Sequence, residues 1–269
     1  RKNYNSVPKL VVVLVGNNPA SISYVKAKER ACEKVGILCH VERLEENVSE
    51  GELIKYIYDL NLDSETHGMI VQLPLPKGLD EEKIIQSISP SKDVDGLSNE
   101  NLGLLASGNP RFVPATPLGV QVLLHEINAK TEGSNIVIIG RSKLVGIPLA
   151  LLLSSKSDLG NASVTICHSK SKNIKAHTIK ADIVVVATGF PHTLTADMVR
   201  KDSVVIDVGV NRLEDKSKKN GYRLIGDCDF EEIYEIASKI TPVPGGVGPM
   251  TIAMLLKNVT KAFLLNVKK

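Results

Sequence analysis

Apolar residues in this chain fall into short β-branched runs, separated by longer stretches in which they recur every three or four positions. Runs of the first kind lie at Lys9 to Val15, Ile37 to Leu44 and Gly68 to Leu73, and Pro19 to Val35 and Glu50 to Leu60 between them carry the helical period. The pattern predicts βαβαβ, and hence a parallel sheet covered by helices. A short helix is expected near Asp80 to Ile88. From Ser89 to Pro117 the residues Pro90, Gly96, Gly108, Pro110, Pro114 and Pro117 predict loop. Thr116 as N-cap and Pro117 as first helical residue predict a helix over Leu118 to Ile127, and the domain boundary is placed on it.

A second alternating block follows, with strands expected at Ile136 to Ile139, Ser163 to Cys167, Ile183 to Ala187, Val204 to Val208 and Arg223 to Ile225. Met250 to Val267 reads as a final helix that crosses back to the first domain. The expected fold is therefore α/β with two domains and a cleft between them. Residues 1–120, joined by helix 250–269, form an N-terminal α/β substrate domain, and residues 121–249 form a C-terminal Rossmann-like domain with a doubly wound parallel sheet.

Composition narrows the class. A chain of 269 residues with 43% hydrophobic and 23% charged residues suits two globular domains with a real core, which argues against membrane and disordered classes. A net charge of +3 is too small to argue for nucleic acid, and the Lys216 to Lys219 run reads as a solvated loop. Four cysteines without CxxC and six histidines without HExxH suggest neither disulfide framework nor zinc site, so reduced thiols in the cytoplasm are expected. No signal peptide, transit peptide or long apolar span is visible, and a start at Arg1 rather than methionine leads us to expect a missing N-terminal piece.

The stretch Ser134 to Leu153 reads as a buried strand turning at Gly140 into a helix beyond Gly146, a geometry that aims N–H groups and a helix dipole at an anion. Its match to G-x-G-x-x-G is partial. Ser142 and Val145 stand where the second and third glycines would be, and Gly146 comes one residue late, so a plain strand-helix corner remains open.

Other residues invite chemistry in the same provisional way. Ser21, Tyr24 and Lys28 share one face of the first helix, with Tyr24 and Lys28 direct i, i+4 neighbours; a surface tyrosine and lysine is the bland alternative. Gln72 ends an apolar strand, where ligands bind in open α/β sheets, though it would also serve as a loop cap. Asp93-Val-Asp95-Gly96 fits a turn. Three glycines between prolines in Pro242 to Pro249 make a stiff loop whose backbone can approach a flat ligand, or simply pack.

Taken together, Tyr24-Val-Lys-Ala-Lys28, Val71-Gln-Leu-Pro-Leu-Pro76, Lys92-Asp-Val-Asp-Gly96, Gly140-Arg-Ser-Lys-Leu-Val-Gly-Ile-Pro148 and Pro242-Val-Pro-Gly-Gly-Val-Gly-Pro-Met-Thr251 resemble the signatures of the bifunctional methylenetetrahydrofolate dehydrogenase/cyclohydrolase family, in its order and across nearly the whole chain. The chain departs at its N-terminus, where that family usually has a further helix before the first strand.

The resemblance implies NADP-linked oxidation of 5,10-methylenetetrahydrofolate, then hydrolysis of the methenyl cation to 10-formyltetrahydrofolate. Lys28 is then the candidate general base, its pKa expected to be lowered by burial and by the cationic intermediate. Gln72 would hold the lysine or the water, and Tyr24 would stack on the aminobenzoyl ring. Asp95 would accept two hydrogen bonds from the pterin. Val71 and Leu73 flank Gln72 in the expected folate site, Ser21 joins it as a lesser candidate, and Pro244, Gly245, Gly246, Val247 and Gly248 would close over the rings.

For the cofactor, the strand after the turn ends Cys167-His168-Ser169-Lys170, without the acid that would hold an NAD ribose. We therefore expect NADP over NAD, with Arg141 and Ser169 on the 2′-phosphate, Gly140, Ser142, Val145 and Gly146 around the turn, and Thr188, Gly189 and Val210 along the dinucleotide. No metal is expected. The expected partners are a small-molecule folate and a second copy in a homodimer, with no nucleic acid or membrane. Two rivals stand beside this reading, a two-domain dehydrogenase of the shikimate type and a non-catalytic dinucleotide sensor.

Overall fold

The structure, a computed structural model, describes residues 6–218 and 221–267. The parts of the expected spans at 1–5 and 268–269, and Lys219 of the basic run, lie outside the described residues. The chain divides into two compact units, one running to Ala115 and resuming at Ile252, the other Thr116–Thr251. The change of unit thus falls at the start of the helix on which the sequence placed it, not at residue 120.

The first unit is built on three parallel strands, β1 (Lys9–Val15), β2 (Leu38–Leu44) and β3 (Gly68–Val71), in the order β2-β1-β3. β1, apolar at nearly every position, is the central strand and is covered on both faces, as a buried parallel strand requires. Its residues Leu10, Val12 and Leu14 pack with α1 (Pro19–Val35), while Val11, Val13 and Val15 pack with α2 (Glu50–Leu62) and α3 (Glu81–Gln86). The strand order reverses at β1/β3, and ligands of open sheets bind beyond the carboxyl ends there.

Two features escaped the sequence. Inside the expected loop lies α4 (Asn99–Ala106), capped by Ser98 and disguised by Gly103 and the flanking prolines. The segment before it joins the sheet edge through a parallel bridge of Met69 to Asp93, with the Met69 N–H on the Lys92 carbonyl at 2.8 Å.

The second unit opens with α5 (Ala115–Glu126), which begins one residue before the expected N-cap; Thr116 lies inside it, its hydroxyl paired with that of Thr251 at 3.0 Å. Next come β4 (Asn135–Ile139), α6 (Gly146–Ser154), β5 (Ser163–Cys167), α7 (Ile174–Thr178), β6 (Ile183–Val186) and β7 (Val204–Asp207). β8 (Asn211–Glu214) and β9 (Tyr222–Ile225) form a separate antiparallel hairpin. The expected strand Arg223 to Ile225 is therefore no member of the main sheet, because Arg212, Glu214 and Arg223 make this ribbon too polar to be covered on both faces. After α8 (Phe230–Tyr234), the two-residue β10 (Lys239–Ile240) completes an order β10-β7-β6-β4-β5. Two residues carry no legible period. The order reverses at β4/β6.

The last helix, α9 (Val247–Val267), starts in the second unit and runs into the first, where Leu255, Val259 and Ala262 join the β1 core. Asn258 anchors it there, its amide donating to the carbonyls of Val94 and Val113 at 2.8 Å each. Among the described residues α9 is the one helix long and apolar enough to cross a membrane, a length of apolar chain the sequence reading did not register; here its Leu255, Val259 and Ala262 are buried in the core of the first unit.

Candidate active site

In the first unit, α1 carries Lys28 to the carboxyl end of the sheet. Asn18 starts the helix, its side chain accepting the N–H groups of Ala20 (2.9 Å) and Ser21 (3.1 Å), and Gly36 ends it in the left-handed conformation. Ser21, Val25 and Cys32 form the buried stripe, and Lys28 falls between the last two of these on the same face. A cation therefore sits where an apolar residue would normally lie. Tyr24, 43% exposed, flanks the stripe.

The Lys28 ammonium donates to Gln72 Oε1 at 3.0 Å, and Gln72 Nε2 donates to the Leu73 carbonyl at 2.7 Å, which fixes the amide orientation. Gln72 is itself held by its N–H on the Val13 carbonyl, just beyond β3. Val71 is buried and Leu73 partly so, with Leu73–Pro74 cis.

Burial lowers the Lys28 pKa from the ordinary lysine range, with the nearby Asp95 carboxylate pulling the other way. Burial likewise raises the Asp95 pKa, an effect that Lys28 opposes and Asp93 reinforces. The two aspartates of the turn behave differently. Asp93 is spent on structure: Oδ1 accepts the Gly96 N–H (2.9 Å), and Oδ2 accepts the Ser98 N–H (2.7 Å) and the Asn101 amide (2.9 Å). Lys92 is also structural, its ammonium holding the carbonyls of Leu60 (2.8 Å) and Asp63 (2.5 Å) at the end of α2. Ser21 is 2% exposed, and its hydroxyl is the one buried side-chain polar atom without a hydrogen bond among the described residues. Asn18 caps the helix, so Ser21 is no capping residue.

In the second unit, the turn after β4 is held by close backbone approach. A Cβ on Gly140, where φ is 134°, would lie 2.3 Å from the Ala187 carbonyl oxygen, and one on Gly146 would lie 2.1 Å from that of Gly140. The Ser142 hydroxyl accepts the Val145 N–H at 3.1 Å, and Val145 is buried, so both brace the turn although Ser142 itself is exposed. Arg141 Nη1 lies 3.3 Å from His168 Nε2. The Lys170 N–H donates to His168 Nδ1 at 3.1 Å, which leaves the other ring nitrogen facing Arg141. Ser169 beside them is exposed.

Thr188 and Gly189 follow β6 across the order reversal from that turn, and Val210 is an exposed residue after β7. In the Pro-Gly-Gly loop, Pro244, Gly245 and Gly248 are exposed, and Val243–Pro244 is cis. Gly246 closes it, donating to the Pro242 carbonyl at 2.9 Å, and Val247 turns its side chain into the core with Val120 and Leu124. Only the Val247 backbone is left for a ligand.

The family model of the tetrahydrofolate dehydrogenase/cyclohydrolase catalytic domain matches residues 1–95, and that of the same family's NAD(P)-binding domain matches residues 114–267. The chain belongs to this family. It is 50% identical over 259 residues to the bifunctional protein FolD of Pelodictyon phaeoclathratiforme, covering 96% of this chain and 88% of that one. Among solved structures, the bifunctional FolD methylenetetrahydrofolate dehydrogenase/cyclohydrolase of Campylobacter jejuni aligns with a TM-score of 0.90 at 46% identity, over 98% of this chain and 91% of the other. The FolD enzyme of Trypanosoma brucei, solved with NADP and an inhibitor, gives 0.94 at 35% identity, over 100% and 90%. A Thermus thermophilus shikimate dehydrogenase shares the fold alone, at 14% identity and a TM-score of 0.58.

Within this tetrahydrofolate dehydrogenase/cyclohydrolase chain, sequence reasoning had passed over His168 as a mere absence of acid. It had not considered Asn18, Asp207 or Asp227. Asn18-Pro19 carried a cap-and-proline signal that would have exposed the first of these; the two aspartates gave none.

Proposed function

We propose that this chain oxidises 5,10-methylenetetrahydrofolate with NADP⁺ as acceptor and hydrolyses the methenyl product to 10-formyltetrahydrofolate. The observation that carries this is Lys28, a desolvated amine on the buried stripe of α1, hydrogen-bonded at 3.0 Å to an amide with a fixed orientation. Desolvation favours the neutral amine, the form that can take a proton from water. As water attacks the methenyl carbon, the Lys28 amine receives its proton. When the carbon-to-N5 bond then breaks, Lys28 returns that proton to N5 and takes up the one the carbinol hydroxyl loses, leaving the N10-formyl group and a net proton for Lys28 to release to water. Gln72 holds the amine in place. Asp95, whose burial disfavours its charge, gains from the pterin N–H and amino donors. Tyr24 gives the aminobenzoyl ring an aromatic face, and the Ser21 hydroxyl is left for a polar atom of the folate.

The residues of the turn fit an NADP cofactor: a tight glycine corner and, at Arg141 and His168, a guanidinium beside an imidazole with no acid at the end of β5. When bound, that cofactor supplies a hydride acceptor. Gly140 and Gly146 would let its pyrophosphate approach the backbone, and Arg141, His168 and Ser169 would hold the 2′-phosphate. The four free cysteines suit a reducing compartment, and a cytoplasmic homodimer is the form we expect to be active. The deciding experiment follows absorbance with methylenetetrahydrofolate and NADP⁺, for wild type and Lys28→Met. The variant is expected to bind NADP normally and lose hydrolysis of the methenyl compound; retained hydrolysis removes Lys28 from the role.

A further inference from the structure

Two buried carboxylates of the second unit take no part in that chemistry. Asp207 ends β7 at 2% exposure, and Asp227 follows β9 at 0%. They interlock. Asp207 Oδ1 accepts the N–H groups of Gly209 (3.1 Å) and Asp227 (2.9 Å), and Oδ2 accepts that of Cys228 (2.9 Å). Cβ atoms placed on Gly209 and Gly226 would each lie 1.9 Å from the other segment's carboxylate, so neither position has room for a side chain.

Asp227 in turn grips the loop after β6 at both ends. Its Oδ2 accepts the Thr188 N–H (2.7 Å), the Thr188 hydroxyl (2.9 Å) and the Gly189 N–H (2.9 Å), while its backbone carbonyl accepts the N–H groups of Thr193 (2.7 Å) and Leu194 (3.3 Å). Oδ1 takes the Asn211 amide at 2.8 Å, tying in the start of β8 beside Val210. The loop so held carries Phe190, 71% exposed. All four groups on the carboxylate are donors, and a carboxylate is the side chain that accepts from all of them.

We infer that Asp227 is a positioning residue for cofactor binding, presenting the Thr188–Leu194 loop and the residues around Val210 in the shape the dinucleotide needs. The inference rests on the reading that Thr188, Gly189 and Val210 line the dinucleotide. Because the loop contacts what NAD and NADP share, Asp227 governs affinity for both, whereas Arg141 governs the choice between them.

The test is a swap of hydrogen-bond polarity. Asp227→Asn turns an NH₂ group against Thr188 and Gly189 or against Asn211, and Asn211→Asp sets two carboxylates together; the double variant restores a donor facing an acceptor between 211 and 227, while losing the Asn211 bond to the Gly226 carbonyl (3.1 Å). Asp227→Asn is expected to raise KM for NADP and for NAD roughly tenfold, the loss typical of a hydrogen bond to a charged group, with kcat and the folate KM held. The double variant should recover part of that loss, the Gly226 bond remaining broken. A lowered melting temperature with wild-type KM values, or a double variant no better than the singles, overturns the inference. Should Asp227→Asn fail to fold, Asn211→Ala removes the amide that donates to Asp227 and to the Gly226 carbonyl: raised KM for both cofactors supports the role, and unchanged KM overturns it. Wild-type protein that neither binds nor reduces NADP would instead sink the functional reading itself.

Discussion

Two buried polar clusters, one in each unit, are built to opposite standards. Around Asp207 and Asp227 every carboxylate oxygen has its donors, supplied mostly by backbone N–H groups. Around Lys28 the accounts stay open: among the described residues the ammonium is held by Gln72 alone, Asp95 is burdened by burial, and the Ser21 hydroxyl has no hydrogen-bond partner. A fully satisfied network rigidifies a fold, while unsatisfied buried groups cost stability that a ligand can repay. The contrast recurs within four residues, where Lys92 and Asp93 are consumed by α2 and the turn and Asp95 is not.

The largest expected effect tests this contrast at its centre. Lys28→Met should lower methenyl hydrolysis by about 10²- to 10⁴-fold, the usual worth of a general base, while the melting temperature holds or rises because a desolvated cation is gone. A folded-state pKa below the unfolded value means that stability rises with pH as the lysine deprotonates, so this rise should be present in wild type and missing in Lys28→Met. A variant that melts well below wild type would place Lys28 among the architectural residues.

The pair Arg141 and His168 comes next. Arg141→Ala should lower the preference for NADP over NAD in kcat/KM by roughly 10- to 100-fold, as for a charged hydrogen bond to phosphate. An unchanged preference would leave Arg141 a solvated cation. Then the two aspartates can be set against each other by thermal melts. Asp93→Asn should cost about 1–3 kcal/mol, because its amide meets a set of donors. Asp95→Asn should not destabilise: a carboxylate whose folded pKa is raised loses stability as pH climbs through that window, and the amide removes the loss. Its effect should appear as a raised folate KM. If the two variants melt alike, the distinction between them fails. The smallest effect belongs to Ser21→Ala, which should change stability by no more than about 0.5 kcal/mol, since no cap or bond is lost; a large loss would show that the hydroxyl is satisfied in the folded protein.

Much of this was legible in advance, and what was not has physical causes. β1, α1 and β5 appear with the bounds their periodicity predicts, because long apolar runs between clear breakers leave little choice. The two-residue β10 and the glycine-containing α4 depend on neighbours distant in sequence, which no local pattern records. In the candidate site, the resemblance singled out Lys28, Gln72 and Asp95, but sequence did not reveal that Lys92 and Asp93 in the same motif are masonry, nor that Val247 points into a core. Asp227 was invisible because its partners come from Thr188, Gly189 and Asn211, brought together by the fold alone.

The path of α9 bears on how the molecule is made. Its residues from Ile252 onward complete the core of the unit that the ribosome begins first, and Asn258 ties down the segment that presents Asp95. During synthesis the first unit must therefore wait, with one face of β1 covered only in part, by α1, until residues 252–267 have been made. The domain that starts first is finished last. A shortened C-terminus would harm the lysine centre before it harmed the cofactor turn, and the two halves could not be parted at the boundary between them into independent genes.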